Sequence, residues 1–473
     1  MEANILVFDI GSTYIKAAAF RMAHGELYFL GRSQQPTTLD NIMVGVKGTE
    51  ENLKKQGIAI AVDIKRYSSS SAAGGLRMVA LGYMPRVTAK AAKEVAMTAG
   101  ARVMEVISVE EAPAYRKEVL QEIKPDIILL AGGTDGGDES SALENTDIIC
   151  DVKGKATVIV ACNKYIQRQV ADKLEAAKIP YVRVPNIMPT IHELNVAPAR
   201  AAIHGQFIHQ ITRAKGINEF CELLENKSVI PTPGAVLLAS ELLAKGIYEQ
   251  KGIGSLILID VGGATTDIHS AIVELDELKS EERGLVINNE KQFSYRTVEG
   301  NLGMRLSAGG VLEAVGVETI LHHLDMDLGT TREDILNYVE FLERHTEHIP
   351  QGVKEACIDR TLGMCAVHIA IRRHAGIYAK ENDAVMGVMA GTALGRDLRH
   401  VERILCVGGI FAHSFPEDRE KMIRKAFLNP KNSLLPLKAP AILYDEQYIL
   451  FSLGVLGKYY PKEVLNYMLK QWN

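Results

Sequence analysis

Two phrases of this chain hold the residue types that bind metal and phosphate. ILVFDIGSTYIKAAAF (Ile5 to Phe20) and LILIDVGGATTDIHSAIV (Leu256 to Val273) each put an aspartate behind four apolar residues. A small-residue turn carrying hydroxyls follows, and then a stretch able to run back as a strand. Asp9 and Asp260 lie 260 − 9 = 251 residues apart. A carboxylate at the end of a buried strand is costly to desolvate unless a positive group pairs with it. Mg²⁺ suits that position, because it takes oxygen ligands and keeps several waters beside substrate phosphates. Gly11, Gly262 and Gly263 permit tight hairpins whose backbone N–H groups can point at phosphate oxygens. Ser12, Thr13, Thr265 and Thr266 add hydroxyl donors, and Lys16 supplies a cation. Two such hairpins facing one another would grip one triphosphate–metal complex from both sides. The alternative is a pair of unrelated β-hairpins that use the same residues.

Other phosphate-binding signatures are absent: the chain has no GxxxxGK[ST] and no GxGxxG after a strand. A second Gly-Gly, in DIILLAGGTDGGD (Asp126 to Asp138), also ends an apolar run and is a candidate for a partner, a second ligand or a simple turn.

The elements that must hold these residues follow from the apolar pattern. Short β-branched runs alternate with helical stretches, the habit of α/β folds. LRMVALGY, Arg102 to Val109, KPDIILLAGG, ATVIVAC and YVRVP read as strands. Helices are expected through Thr88 to Thr98, Glu139 to Ile149 and Gln167 to Ala177. This middle region reads as successive βα units added to the first motif's domain. From about Pro233 a helix leads into the second motif; Gly310 to Ala379 is mostly helical, and ERILCVGG (Glu402 to Gly409) returns to strand.

At 473 residues the chain exceeds one ordinary core. Its 47% hydrophobic and 23% charged residues describe an ordered chain. A net charge of −5 and the lack of a basic arm argue against nucleic-acid binding. No apolar run approaches the ~20 residues needed to cross a bilayer. Asp9 interrupts the first apolar run and no basic region precedes it, so no signal peptide is expected. The six scattered cysteines, without a CxxC pair, point to reduced thiols in the cytoplasm and away from a zinc site. His345 and His348 read as a solvated helix end.

The two phrases resemble the phosphate-1 and phosphate-2 motifs of the actin-like ATPase superfamily, which includes sugar kinases, 70-kDa heat-shock proteins and hexokinase. ILCVGGIFAHS (Ile404 to Ser414) is similar to its adenosine motif, with Gly408 and Gly409 beneath base and ribose. PTPGAVLLASELLAKG (Pro231 to Gly246) and FSLGVLGKY (Phe451 to Tyr459) look like its connecting helices. SSSAAGGLRMVALGY, PDIILLAGGTDGGD, LNVAPAR, LILIDVGGATTDIHS and TVEGNLGMR narrow the resemblance to the glutamate mutase accessory family called MutL or GlmL. That family is unrelated to the mismatch-repair protein of similar name.

The resemblance implies an α/β protein with two ribonuclease-H-like lobes and an extra βα insertion in the first. The first lobe would span 1–245, with the insertion at about 60–200, and the second 246–473. It implies ATP and Mg²⁺ as cofactors and the subunits of an adenosylcobalamin-dependent mutase as partners, with self-association open. ATP-driven opening of the lobes would release damaged cobalamin. Asp9 and Asp260 would hold Mg²⁺, mostly through water. Gly11, Ser12, Thr13, Gly262, Gly263, Thr265 and Thr266 would cradle phosphates. Asp267 would orient metal or attacking water, and Lys16 would neutralise developing charge.

One departure stands out. Heat-shock relatives carry a catalytic glutamate at the first connecting helix, where VIPTPGAV (Val229 to Val236) has no carboxylate, so slow basal hydrolysis is expected. Asp135, Asp138, Glu299 and Glu313 are possible substitutes. Arg77 and Arg305 are either anion contacts or guanidiniums tying loops together. Competing readings on the same fold are a small-molecule kinase, a non-catalytic nucleotide-gated scaffold, and a hydantoinase-type hydrolase or carboxylase.

Overall fold

Ile5 to Phe8 and Leu256 to Ile259 are apolar without interruption, as strands buried on both faces must be. The computed structural model describes residues 2–11, 14–38, 41–70, 76–83, 95, 101–190, 195–211, 216–273, 293–324, 329–382, 389–428 and 432–473. The chain forms two compact units, Met1–Val236 and Leu237–Asn473.

In the first unit, β1 (Glu2–Ile10) pairs antiparallel with β2 (Tyr14–Ala23), and β2 antiparallel with β3 (Glu26–Pro36). On its other side β1 runs parallel to β4 (Ala59–Ser70). The chain then leaves this sheet for a second one of five parallel strands: β5 (Leu76–Gly82), β6 (Ala101–Ser108), β7 (Ile127–Leu130), β8 (Thr157–Val160) and β9 (Tyr181–Arg183). Their spatial order is β6-β5-β7-β8-β9. β10 (Ile230–Pro231) returns to the first sheet beside β4, giving the order β10-β4-β1-β2-β3.

Strand alternation divides the work of the inserted sheet. Met78, Ala80, Ile127, Leu129 and Ile159 join Leu6 and Phe8 in one core. Val79, Leu81, Ile128, Leu130, Val158 and Val160 face the other way, into a core with Leu120, Ile149, Val170 and Leu174. Those last four come from helices Pro113–Ile123, Ser140–Val152 and Gln167–Ala176. The helix expected through Thr88 to Thr98 lies, apart from Val95, outside the described residues.

The second unit opens with helix residues of Thr232–Lys245 and a short hairpin, β11 (Gly246–Ile247) with β12 (Gln250–Lys251). Its main sheet repeats the first sheet's plan. β13 (Leu256–Val261), β14 (Thr266–Ala271) and β15 (Ser294–Glu299) form an antiparallel meander. After the helices Ala308–Val315, Val317–His323, Arg332–Arg344 and Gly352–His374 comes a minor pair, β16 (Ile377–Tyr378) with β17 (Ala393–Leu394). β18 (Arg403–Val407) and β19 (Ala441–Tyr444) then add in parallel, giving the order β15-β14-β13-β18-β19. In each sheet the motif strand is central, with three antiparallel and two parallel members. Among the described residues no helix is long and apolar enough to cross a membrane.

Candidate functional site

In the first unit Asp9 sits one residue from the end of β1 and is 2% exposed. Its cross-strand partner on β2 is Lys16, whose Nζ lies 3.7 Å from Asp9 Oδ2. Its partner on β4 is Ser69, whose hydroxyl donates to Asp9 Oδ1 at 3.4 Å. Thr232, the first residue of the helix Thr232–Lys245, donates to the same oxygen at 2.5 Å. Gly11 N–H donates to Tyr14 O at 2.9 Å and closes the hairpin, while Thr37 donates to Gly11 O. Ser12 and Thr13, the two hydroxyl residues of this turn, lie outside the described residues.

In the second unit Asp260 is half-buried on β13, opposite Asp267 of β14. Gly262 N–H donates to Thr265 O at 2.9 Å, the same closure as in the first hairpin. Two carboxylates directly opposite would repel. That repulsion is relieved by Arg296, diagonally placed on β15, whose Nε donates to Asp267 Oδ1 at 2.8 Å and whose Nη2 reaches the same oxygen. Thr265 donates to Asp267 Oδ2 at 3.0 Å. Thr266 is fully buried and its hydroxyl donates inward to Leu302 O. Gly262 O and Gly263 O accept from Met304 N–H and Arg305 N–H, so TVEGNLGMR is the segment that braces this loop.

The repeat is residue for residue. The 251-residue offset between Asp9 and Asp260 also carries Gly11 onto Gly262, Tyr14 onto Thr265 and Lys16 onto Asp267. Each pair has the same register or the same hydrogen bond. The charge is inverted at the last position. Lys16 answers Asp9 directly, whereas Asp267 needs Arg296 from a third strand.

Gly408 follows β18 with φ +122°, and a Cβ there would lie 2.2 Å from Val261 O, so only glycine fits. Gly409 is exposed, opens the short helix Gly409–His413, and has room for a side chain. The earlier Gly-Gly, Gly132 and Gly133, belongs to the inserted sheet. Its loop is tied by Asn186 to Gly133 O and Asp135, and by Asn163 to Gly136 N–H.

Thr232 and Ser69 are the partners sequence reasoning did not single out. Thr232 stands in the stretch that lacks a carboxylate, and there it supplies a hydroxyl. The proposed substitutes are occupied or exposed: Asp135 pairs with Lys164, Asp138 caps Ser141 N–H, Glu299 pairs with Arg373, and Glu313 is exposed. Arg77 bonds Asp126, Ile123 O and Lys124 O. Arg305 bonds Asp359 and His348 O. Both guanidiniums thus tie loops. Burial pushes the Asp359 carboxyl up, and Arg305 opposes that shift. The expectation of solvated histidines needs correction for His348, which lies 2.9 Å from Glu355 and packs against Phe341. All six cysteines are free thiols.

Asp9 and Asp260 each offer carboxylate oxygens on the equivalent strand of its own unit, a donor chemistry that suits a hydrated hard cation, and no group of three or more His, Cys, Asp or Glu among the described residues could cage a metal. The Asp267 carboxylate is held by Arg296 and Thr265, which suits a positioning role.

Two central-strand aspartates, each before a glycine hairpin on a sheet of one topology, define an actin-like ATPase fold with two ribonuclease-H-like lobes and an inserted parallel sheet in the first. The family profile described as "MutL protein" matches residues 5–472. Protein MutL of Clostridium tetanomorphum is 35% identical over 476 residues, covering 99% of each chain. The chain belongs to the MutL family. Solved structures give distant matches. The xylulose kinase of Lactobacillus acidophilus is 10% identical, covering 97% of this chain and 89% of its own, with a TM-score of 0.32. The ethanolamine utilization protein EutJ of Carboxydothermus hydrogenoformans is 9% identical, covering 95% and 88%, with a TM-score of 0.27.

Proposed function

We propose that the chain binds Mg-ATP, hydrolyses it slowly, and serves as a reactivating factor for an adenosylcobalamin-dependent mutase such as glutamate mutase, in the cytoplasm. The observation that carries the nucleotide reading is the residue-for-residue repeat of aspartate, glycine hairpin and charged return strand. Membership of the MutL family supports the mutase as partner.

Asp9 and Asp260 would hold Mg²⁺ through its waters. When bound, the ion would supply positive charge that offsets the charge of the phosphates. Gly11, Ser12, Thr13, Gly262, Gly263 and Thr265 would cradle the phosphates, and Thr266 would fix its turn through Leu302 O. Lys16, partly exposed and beside Asp9, would add positive charge there. Asp267, held by Arg296, would set the orientation of Thr265. Gly408 and Gly409 would let the nucleoside approach the backbone after β18. Thr232 can orient Asp9 but cannot take a proton from water at neutral pH, which would keep turnover slow without a partner.

The test is recovery of a glutamate mutase inactivated with cyanocobalamin, on adding this protein, Mg-ATP and fresh adenosylcobalamin. Recovery is expected to require ATP. Asp260→Ala should abolish both the recovery and Mg-dependent nucleotide binding while leaving the thermal melt unchanged. Unaltered nucleotide affinity in that variant would remove the reading.

A further inference from the structure

The inserted parallel sheet carries a cavity of about 670 Å³ at the amino ends of its strands, and neither Asp9 nor Gly11 lines it. That volume lies within the range of small-molecule sites. Its floor is apolar: Leu120, Ile128, Ile149 and Ile179, each no more than 6% exposed, belong to the core between the sheet and its helices. Its rim is basic. Arg77, Lys124, Lys153 and Lys155 line it, and Asp126 is the single carboxylate among the lining residues.

The charges do not cancel locally. Arg77 is taken up by Asp126. Lys124, Lys153 and Lys155 are exposed and make no ion pair with any described residue. The helices Pro113–Ile123 and Ser140–Val152 end here, and each carboxyl end carries about −0.5 of an elementary charge. Two ends therefore balance about one lysine of the three. Lys124 and Lys153 are moreover the residues that cap these helices, with φ of +48° and +51°, where glycine would be free of strain. An oily floor beneath about two uncompensated positive charges suits one kind of molecule.

We infer that this cavity binds an amphiphilic anion: an apolar ring or chain seated on Leu120, Ile128, Ile149 and Ile179, with a carboxylate or phosphate headgroup held by Lys124, Lys153 and Lys155. The inference is independent of nucleotide binding at the two hairpins.

The probe is 8-anilinonaphthalene-1-sulfonate, an aromatic anion, titrated by fluorescence into the full-length protein and then displaced with decanoate, decyl phosphate or decanol. One saturable site is expected, displaced by either anion at a concentration at least tenfold below that needed for decanol. The order of the two anions tells which headgroup is preferred. The exposed-residue double variant K153E/K155E should weaken the dye at least tenfold with an unchanged circular-dichroism melt, and Ile149→Trp should abolish binding by filling the floor. Should Ile149→Trp not fold, the lysine variant decides alone. Unsaturable binding, decanol as effective as the anions, or a change under twofold in K153E/K155E would overturn the inference.

Discussion

Asp267 and Lys16 occupy equivalent positions in the two hairpins, yet one is negative and the other positive, and this inversion has energetic consequences. Lys16 partners the aspartate across its strand, so the first hairpin is balanced within two residues. The second hairpin sets two carboxylates opposite each other and depends on Arg296, 6% exposed at its side chain, for balance. Removing one member of a buried pair leaves an uncompensated charge, worth about 3–5 kcal/mol. Arg296→Met should therefore destabilise the second unit by that order in urea unfolding. The double variant Arg296→Met with Asp267→Leu should recover most of the loss, since no charge is left stranded. A single variant as stable as the parent would mean that the pair contributes nothing. At Asp9 the corresponding dependence is on a hydroxyl. Thr232→Val keeps the shape and removes a hydrogen bond to a carboxylate, worth about 1.5–3 kcal/mol, and the same loss should appear in the melt.

At the scale of elements, the turn after β18 is where two adjacent glycines have different reasons to be glycine. Gly408 has a positive φ and no room for a Cβ against Val261 O. Gly408→Ala should destabilise the second unit by at least about 2 kcal/mol through backbone strain and the clash. Gly409 meets nothing closer than His413 Cδ2 at 3.9 Å. Gly409→Ala should leave the melt unchanged yet weaken ATP binding, read by calorimetry, if the nucleoside lies over that backbone. Equal stability losses in both variants would show that Gly409 is glycine for packing alone.

For the molecule as a whole, acid sensitivity should arise in the second unit. His269 and His374 are buried on β14 and at the end of helix Gly352–His374, and burial holds both pKa values well below the ordinary range. His374 lies between Ser270 Oγ and Thr297 Oγ1, with Arg396 also bonded to Ser270 and Tyr295 packed on the ring. Arg296 adds positive charge near His269. The fold thus requires both rings neutral, while the unfolded chain protonates them below about pH 6.5. Stability is complete above that value and falls as the pH drops, by about 1.4 kcal/mol per pH unit for each ring. Urea unfolding between pH 7.5 and 5.5 should show this slope, and His374→Gln should halve it. A flat profile would mean that the rings take up protons in the fold as readily as in the unfolded chain.

Some of this was legible in the chain itself, because it is local. A continuous apolar run before aspartate and glycine reads as a buried strand entering a tight turn, and the run occurs twice. The five strands of the insertion were legible for the same reason, through β-branched runs separated by helical spacing. Other features depend on distant segments meeting across a sheet. Thr232 reaches Asp9 across 223 residues of chain, and no spacing encodes that contact. Arg296 meets Asp267 only because β15 pairs with β14 in one register, so the charge that balances the second motif could not be read beside it. Arg77 and Arg305 remained ambiguous for the same reason: a guanidinium's partners are backbone carbonyls and carboxylates from other loops. The sequence by itself determined the two carboxylate hairpins and the strands that carry them. The tertiary structure alone decided what neutralises each carboxylate, and it alone put four basic side chains from three segments of the chain around one apolar floor, because those charges come together only when the strands and helices of the inserted sheet pack.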